Sequence, residues 1–423
     1  MAIVIKRAIG FPKKFTTFTI ILPLILISFG FFVPFTLKLN ELITGINFSH
    51  EKEYIVSLTL FYLCLYLGIV LSNTINAKVA PGEIRYHPTR TTALGSKIYL
   101  LLISILSIFY LLLIYATSLN FDFVSYLSGI WSYSDYELHR YSFARATTGL
   151  EYYLYNKLPY SLMPMILIAI WLPNELSKFT RISVTALLLF CIAQTGHKMP
   201  IIYPIIFIIC SLLANKSNFT LAGKQKIVLF LTLLLIIFGV IPIFYIAQGS
   251  SYIDSLIWSV LRVFGETVRT LQLHFEVYPN VHPFLNGAST KTIHAIIGSG
   301  DFLPPSIYIP YEFLNLRNTS FPTLFIGEAW ADFGYVGVSL YSLFVGWLLQ
   351  TFNHWFYRQK ELTNEKKALY LATMFSSLHL LQSNLLTTFI SYGLITNILI
   401  YHVLKLRLYH TTKTNIFNGL NKI

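Results

Sequence analysis

Charge is scarce in this chain of 423 residues. Asp and Glu together number 18, Lys and Arg 31, and charged residues make up 12%, against roughly a quarter in an ordinary soluble domain. With 55% of its residues hydrophobic and a mean hydropathy of +0.62, the chain lacks the polar coat of a water-soluble globule. Disorder is excluded too, since 34 Phe and 28 Tyr bring more apolar surface than a solvated chain tolerates. Cysteine is nearly absent: Cys64, Cys191 and Cys210 fall inside apolar runs with no paired or metal-ligand spacing, so neither a disulfide framework nor a zinc site is implied. Internal repeats, low-complexity tracts and a separate soluble domain are also lacking, and residues 1–423 read as a single polytopic membrane domain. The formal charge of +13 sits in short clusters between apolar stretches and forms no single patch, which argues for membrane orientation and against nucleic acid as a partner.

What is present is a series of long apolar runs. A bilayer-spanning helix needs about 20 mostly apolar residues, fewer where polar ends snorkel. On that criterion spans are expected at 15–37, 54–72, 98–118, 158–174, 182–196, 199–214, 227–247, 334–353, 368–382 and 385–404. The expected fold is all-α, with about ten transmembrane helices and a large helical outward loop before the eighth. No small-residue cleavage site follows the first apolar stretch, which is also too long for a signal-peptide core, so it reads as a retained helix.

Ten spans put both termini on one side, and the charges are consistent with that. Lys6, Arg7, Lys13 and Lys14, then Lys78, Arg85, Arg90 and Lys97, then Lys178 and Arg181, and further pairs and triplets to Lys422 all fall on the same side. They amount to about two thirds of the basic residues, and by the positive-inside rule that side is the cytoplasm. Only Glu83, Glu175, Glu361 and Glu365 are acidic there. The remaining carboxylates lie in or near two long outward segments, 119–157 and 248–333. Structureless loops longer than about 12 to 15 residues are uncommon and tend to be functional.

Within 248–333 a helix is expected from Asp254 to Glu276, with Arg262, Glu266, Arg269, Leu273 and Glu276 spaced to share one face. Guanidinium groups grip diphosphate through paired parallel hydrogen bonds; the same spacing also suits an interfacial helix whose Arg and Glu pair with each other. After a turn-rich stretch and Arg317, the run Gly327-Glu328-Ala329-Trp330-Ala331-Asp332-Phe333-Gly334 leads into the eighth span. Glu328 and Asp332, four apart, are the candidate base and sugar-hydroxyl acceptor, because ionisable groups near bilayer depth are costly and usually functional. A carboxylate paired with Arg317 is the alternative. In 119–157, Asp135 and Glu137 form a short acidic pair that occurs often by chance and is not taken as a metal site. Arg140 and Arg145 are further anion contacts, or partners of lipid headgroups. His197 and Lys198 lie in an outward Gly-His-Lys-Met-Pro turn where a cation can meet a lipid phosphate, and His379 falls within the ninth span.

The run from Arg317 to Gly346 resembles the C-terminal signature of the Wzy-type oligosaccharide repeat unit polymerases, in which a Gly-Glu-x-x-x-x-Phe-Gly-x-x-Gly core precedes a span. Here the core is Gly327, Glu328, Phe333, Gly334 and Gly337. The polytopic layout is also similar, as is the turn around Gly196 to Pro200. The resemblance implies a membrane glycosyltransferase of the bacterial inner membrane, with both termini cytoplasmic and its site facing the periplasm. It would serve lipopolysaccharide or related polysaccharide biosynthesis as an O-antigen polymerase. Donor and acceptor would both be undecaprenyl-diphosphate-linked oligosaccharides, the growing glycan passing to the non-reducing end of the next unit. A chain-length regulator is the partner this implies. No cofactor and no metal are called for, since lipid diphosphate is already an activated leaving group. In that reading Arg262, Arg269 and Arg317 contact the diphosphate, with Glu328 the base and Asp332 second.

Three further readings stay open. An O-antigen ligase uses the same donor and a similar outward loop. A lipid-linked sugar transporter or flippase would carry repeated halves or charged, broken helices at mid-membrane, whereas here the acidic residues are expected outside the spans. A polyprenyl-phosphate-sugar glycosyltransferase would be expected to have an acidic motif in the first outward loop, where this chain has Glu41, Glu51 and Glu53 but no Asp.

Overall fold

A computed structural model describes chiefly residues 50–76, 93–118, 122–130, 162–171, 176–194, 241–246, 250–261, 266–290, 303–313, 323–359, 364–381, 383–390 and 392–399, with isolated positions besides. Among the described residues 83% are helical and none lies in a strand, as the apolar periodicity requires. Two helices there are long and apolar enough to cross a membrane: α1 (Glu51–Asn76) and α10 (Phe325–Tyr357). The others, in order, are α2 (Ala93–Ser118), α3 (Asp122–Leu127), α4 (Leu162–Trp171), α5 (Lys178–Ala193), α6 (Ile241–Ile246), α7 (Tyr252–Val260), α8 (Glu266–Val277), α9 (Pro305–Tyr308), α11 (Asn364–Leu378) and α12 (Leu385–Ile390). The expected spans at 15–37 and 199–214 lie almost wholly outside the described residues, and the helix expected from Asp254 to Glu276 is described as α7 and α8.

The pair α1 and α10 forms the centre. In α1, Tyr54, Ser57, Leu58, Phe61, Leu65, Gly68, Ile69 and Ser72 are buried, a stripe at helical spacing. The opposite face exposes Ile55, Leu63, Leu67, Leu71 and Ile75. A helix apolar on both faces suits lipid on the outside and protein on the inside. Where the two helices cross, a Cβ at Gly68 would fall on the Leu343 carbonyl oxygen and 2.7 Å from the Trp347 amide nitrogen, and one at Gly346 would fall on the Leu65 carbonyl. Backbone lies against backbone, the close approach that small residues permit in membrane helices.

Beyond the crossing the seam turns polar. Ser72 and Thr351 hydroxyls pair at 2.9 Å, and Asn73 Oδ1 accepts from Gln350 Nε2 and His354 Nε2, each at 2.7 Å. Asn353 donates to Gln350 Oε1 at 3.1 Å and accepts from the Tyr370 hydroxyl of α11 at 2.7 Å. This ladder fixes the register of α1, α10 and α11. A second apolar cluster joins α2, α4 and α5 through Ile103, Tyr110, Ile166, Leu167, Leu188 and Ile192.

Helix α10 is broken. Phe333 (φ −142°, ψ 16°) and Gly334 (φ 60°, ψ −138°) leave helical geometry. Gly334 occupies a region that side chains with a Cβ avoid. The limb before the break, residues 325–332, is buried on every side, and it folds close enough that a Cβ on Gly337 would strike the Ala329 carbonyl oxygen.

Candidate functional site

The three glycines of the Gly-Glu-x-x-x-x-Phe-Gly-x-x-Gly run each have a steric reason. Gly327 lets α8 approach: a Cβ there would come 2.6 Å from Thr323 Cγ2 and 3.3 Å from His274 Cγ. Gly334 makes the break, and Gly337 receives the folded limb. Together they set residues 325–332 into a pocket of protein made by α8, the 284–290 loop and the turn at 383–384.

Asp332 holds that loop. Its Oδ1 accepts the Ser289 amide at 2.9 Å, and its Oδ2 accepts the Ser289 hydroxyl at 2.7 Å and the Tyr341 hydroxyl at 3.2 Å. Main-chain bonds run alongside, from Leu285 N to the Ala331 carbonyl at 2.9 Å and from Asn286 N to the Asp332 carbonyl at 3.1 Å. Asn286 and Gly287 turn the chain with positive φ of 53° and 92°. Trp330 pins the same limb: its indole N–H donates to the Tyr278 carbonyl at 2.8 Å, and its ring lies edge-on to Phe275 and Tyr335 at 4.7 and 4.8 Å.

Glu328 is placed differently. It is 4% exposed and lies near the Asn384 side chain, while its Oε2 has no partner among the described residues. It sits in the first turn of α10, where the helix dipole favours a negative charge. Of the two carboxylates, Asp332 has its oxygens occupied, and Glu328 keeps one oxygen able to take a proton.

His274 of α8 is wholly buried. Its Nδ1 lies 2.7 Å from the Thr270 carbonyl oxygen, which can only accept, so Nδ1 carries the hydrogen. Nε2 is then a bare acceptor with no partner among the described residues. Burial pushes His274 down from 6.5 to about 4, the Thr270 carbonyl partly opposing. The unfolded chain therefore takes up a proton below 6.5 that the folded chain refuses until about 4, and this residue makes stability fall as the pH drops through that window. His274→Gln is expected to remove up to about 3 kcal/mol of the acid-induced loss, seen as a flatter dependence of the unfolding midpoint on pH. Equal slopes for both chains would refute it.

Comparisons with protein-family models, with curated proteins and with solved structures return no match.

Of the other residues singled out in the sequence, Arg269 is half-buried with its guanidinium 5.9 Å from the centre of the Phe321 ring. Arg262, Arg317, Arg140, Arg145, His197 and Lys198 lie outside the described residues. Asp135 accepts from the Ser132 amide and hydroxyl at 3.0 and 2.6 Å, and these bonds hold its carboxyl below the usual range; Glu137 lies outside the described residues. No group of three His, Cys, Asp or Glu suited to a metal ion occurs among the described residues. Glu276 pairs with His50 at 3.3 Å, and His50 also meets Glu53 at 3.4 Å, tying α8 to the start of α1. His379 is buried and stacks on Tyr392, with ring centres 3.9 Å apart.

The sequence reading missed Ser289, Tyr341, His274 and Asn384. Asn384 had a signal, since it belongs to the polar turn between the last two apolar runs. Ser289 had none.

Proposed function

We propose that this chain is a polymerase of undecaprenyl-diphosphate-linked oligosaccharide repeat units. The observation that carries the reading is Glu328, a buried carboxylate with one oxygen free of partners among the described residues, set by a glycine-broken limb whose Gly-Glu-x-x-x-x-Phe-Gly-x-x-Gly pattern resembles that family's signature. In this reaction Glu328 takes the proton from the attacking hydroxyl of the acceptor sugar. That oxygen bonds to the anomeric carbon of the donor glycan, the bond from carbon to diphosphate oxygen breaks, and undecaprenyl diphosphate leaves with the electron pair. Cations near the departing diphosphate stabilise its growing charge. Arg269 lies on the helix packed beside Glu328's limb, and Arg262, Arg317, Arg140, Arg145, His197 and Lys198 are the further candidates. The ten-span layout in a bacterial inner membrane, with cytoplasmic termini, a periplasmic site and a chain-length regulator as partner, belongs to the same proposal.

Removing a general base slows such a transfer about 10²- to 10⁴-fold. Glu328→Gln is therefore expected to abolish the long-chain ladder of surface polysaccharide in a strain that depends on this chain. Long chains retained in that strain would overturn the assignment.

One observation favours a second class. A helix broken beside two buried carboxylates is also the form of a transporter site, and α10 is broken in this way. Purified protein and a defined lipid-linked repeat unit decide between them: oligomers support the polymerase, and movement of the unit across vesicles without oligomers supports a flippase. A ligase is separated by gene disruption, which leaves bare core where loss of a polymerase leaves core with one unit.

A further inference from the structure

We propose that Tyr341 is a positioning residue of Glu328: its hydroxyl holds α10 in the broken form that sets the carboxylate. That hydroxyl donates to Asp332 Oδ2 at 3.2 Å, and the two residues stand on opposite sides of the break at Phe333 and Gly334. Nine residues of unbroken helix rise about 13 Å and end on the opposite face, beyond the combined reach of the two side chains. The bond therefore belongs to the broken form alone. A second set of contacts has the same property. In an unbroken helix the carbonyls of Ala331 and Asp332 accept the amides four residues on, whereas here they accept Leu285 and Asn286 of the 284–290 loop, at 2.9 and 3.1 Å. The loop also fills the break, since a Cβ on Gly334 would come 3.0 Å from the Phe284 ring and one on Gly287 would come 3.3 Å from the Phe333 ring. Asp332 joins the two sets, because the oxygen that takes the Tyr341 hydroxyl also takes the Ser289 hydroxyl at 2.7 Å. Ser289 ties the limb to the loop, and Tyr341 ties it to the body of α10. Glu328 lies one turn before Asp332 on the same limb and is carried with it. The clasp stands on its own; the part it plays in catalysis rests on the polymerase reading.

The test is Tyr341→Phe in the full-length chain in detergent micelles. Tyr341 is half-buried and the ring stays, so the variant loses the hydroxyl and keeps its packing. Hydrogen exchange at the Leu285 and Asn286 amides, which the limb protects only while α10 is broken, is expected to rise about tenfold, with exchange along α1 unchanged. An unaltered rate at Leu285 and Asn286 overturns the clasp, as does a rise shared equally by α1, which marks a general loosening. Asp332→Asn is the conservative companion: its NH₂ has a hydrogen for the phenol oxygen, which accepts as well as donates, so the same amides stay protected. Exchange in D332N as fast as in Y341F overturns the clasp. With a defined lipid-linked repeat unit, Y341F is expected to lower kcat about ten- to a hundredfold with KM unchanged, because a displaced base is felt only when bonds change. Normal kcat, or a loss confined to KM, overturns the positioning role. Failure of the polymerase reading leaves a different mark: E328Q keeps its long chains while the exchange difference between Y341F and the unaltered chain persists.

Discussion

Alanine at Gly346 is expected to destabilise the chain by about 2–3 kcal/mol, although it adds one methyl group. The reason is what that methyl meets. It would fall on the Leu65 carbonyl oxygen and 3.0 Å from the Leu65 carbonyl carbon. A side chain in its place could rotate aside, but a helix backbone cannot, so α1 and α10 must separate along the crossing. Separation stretches the bonds beyond it, the Ser72–Thr351 pair and the two donors on Asn73 Oδ1, which are short only at the present spacing. Gly68→Ala meets the same gap from the other helix, at Leu343 and Trp347. The two substitutions are therefore expected to be less than additive, since the second finds the helices already apart. Gly239 is the control: among the described residues a Cβ there meets only the Leu235 side chain, at 3.4 Å, and Gly239→Ala should leave the unfolding midpoint of the purified chain unchanged. A Gly346→Ala chain as stable as the control would contradict the crossing.

These glycines show where the sequence is transparent and where it is opaque. Apolar length located α1 and the body of α10, because a membrane-crossing helix is decided by local composition. The break in α10 was not legible: the eighth span was expected to begin at Gly334, with both carboxylates outside it, whereas the helix begins at Phe325 and bends at Phe333 and Gly334. A glycine before an apolar run reads equally well as a loop ending or as a kink, and only the partners of residues 325–332 decide. The two carboxylates could be found, since acidic residues are rare here and these lie four apart. Their different states could not. Asp332 is occupied because Ser289, more than forty positions earlier, lies against it. Hydrogen bonds across such separations leave no local pattern in a single sequence.

Leucine at Asp332 is expected to cost about 3 kcal/mol or more, because it leaves buried donors without an acceptor. The Ser289 amide and hydroxyl both lose their partner, Ser289 is only 2% exposed, and the Tyr341 hydroxyl loses the carboxylate as well. The loop at 284–290 would keep its two main-chain bonds to α10 but not the side-chain anchor. It should become open to protease and to hydrogen exchange before the rest of the chain. Asp332→Asn is the informative companion. Its remaining oxygen accepts the Ser289 amide and its NH₂ donates to the Ser289 hydroxyl, so the loop stays closed at a cost of about 1 kcal/mol. The same variant removes the carboxylate. If Asp332 serves as an anchor, Asp332→Asn retains most chain elongation while Glu328→Gln loses it; if Asp332 is the base, Asp332→Asn abolishes elongation with the loop still protected. The geometry favours the first outcome, because a base needs an oxygen free to take a proton, and among the described residues that oxygen belongs to Glu328.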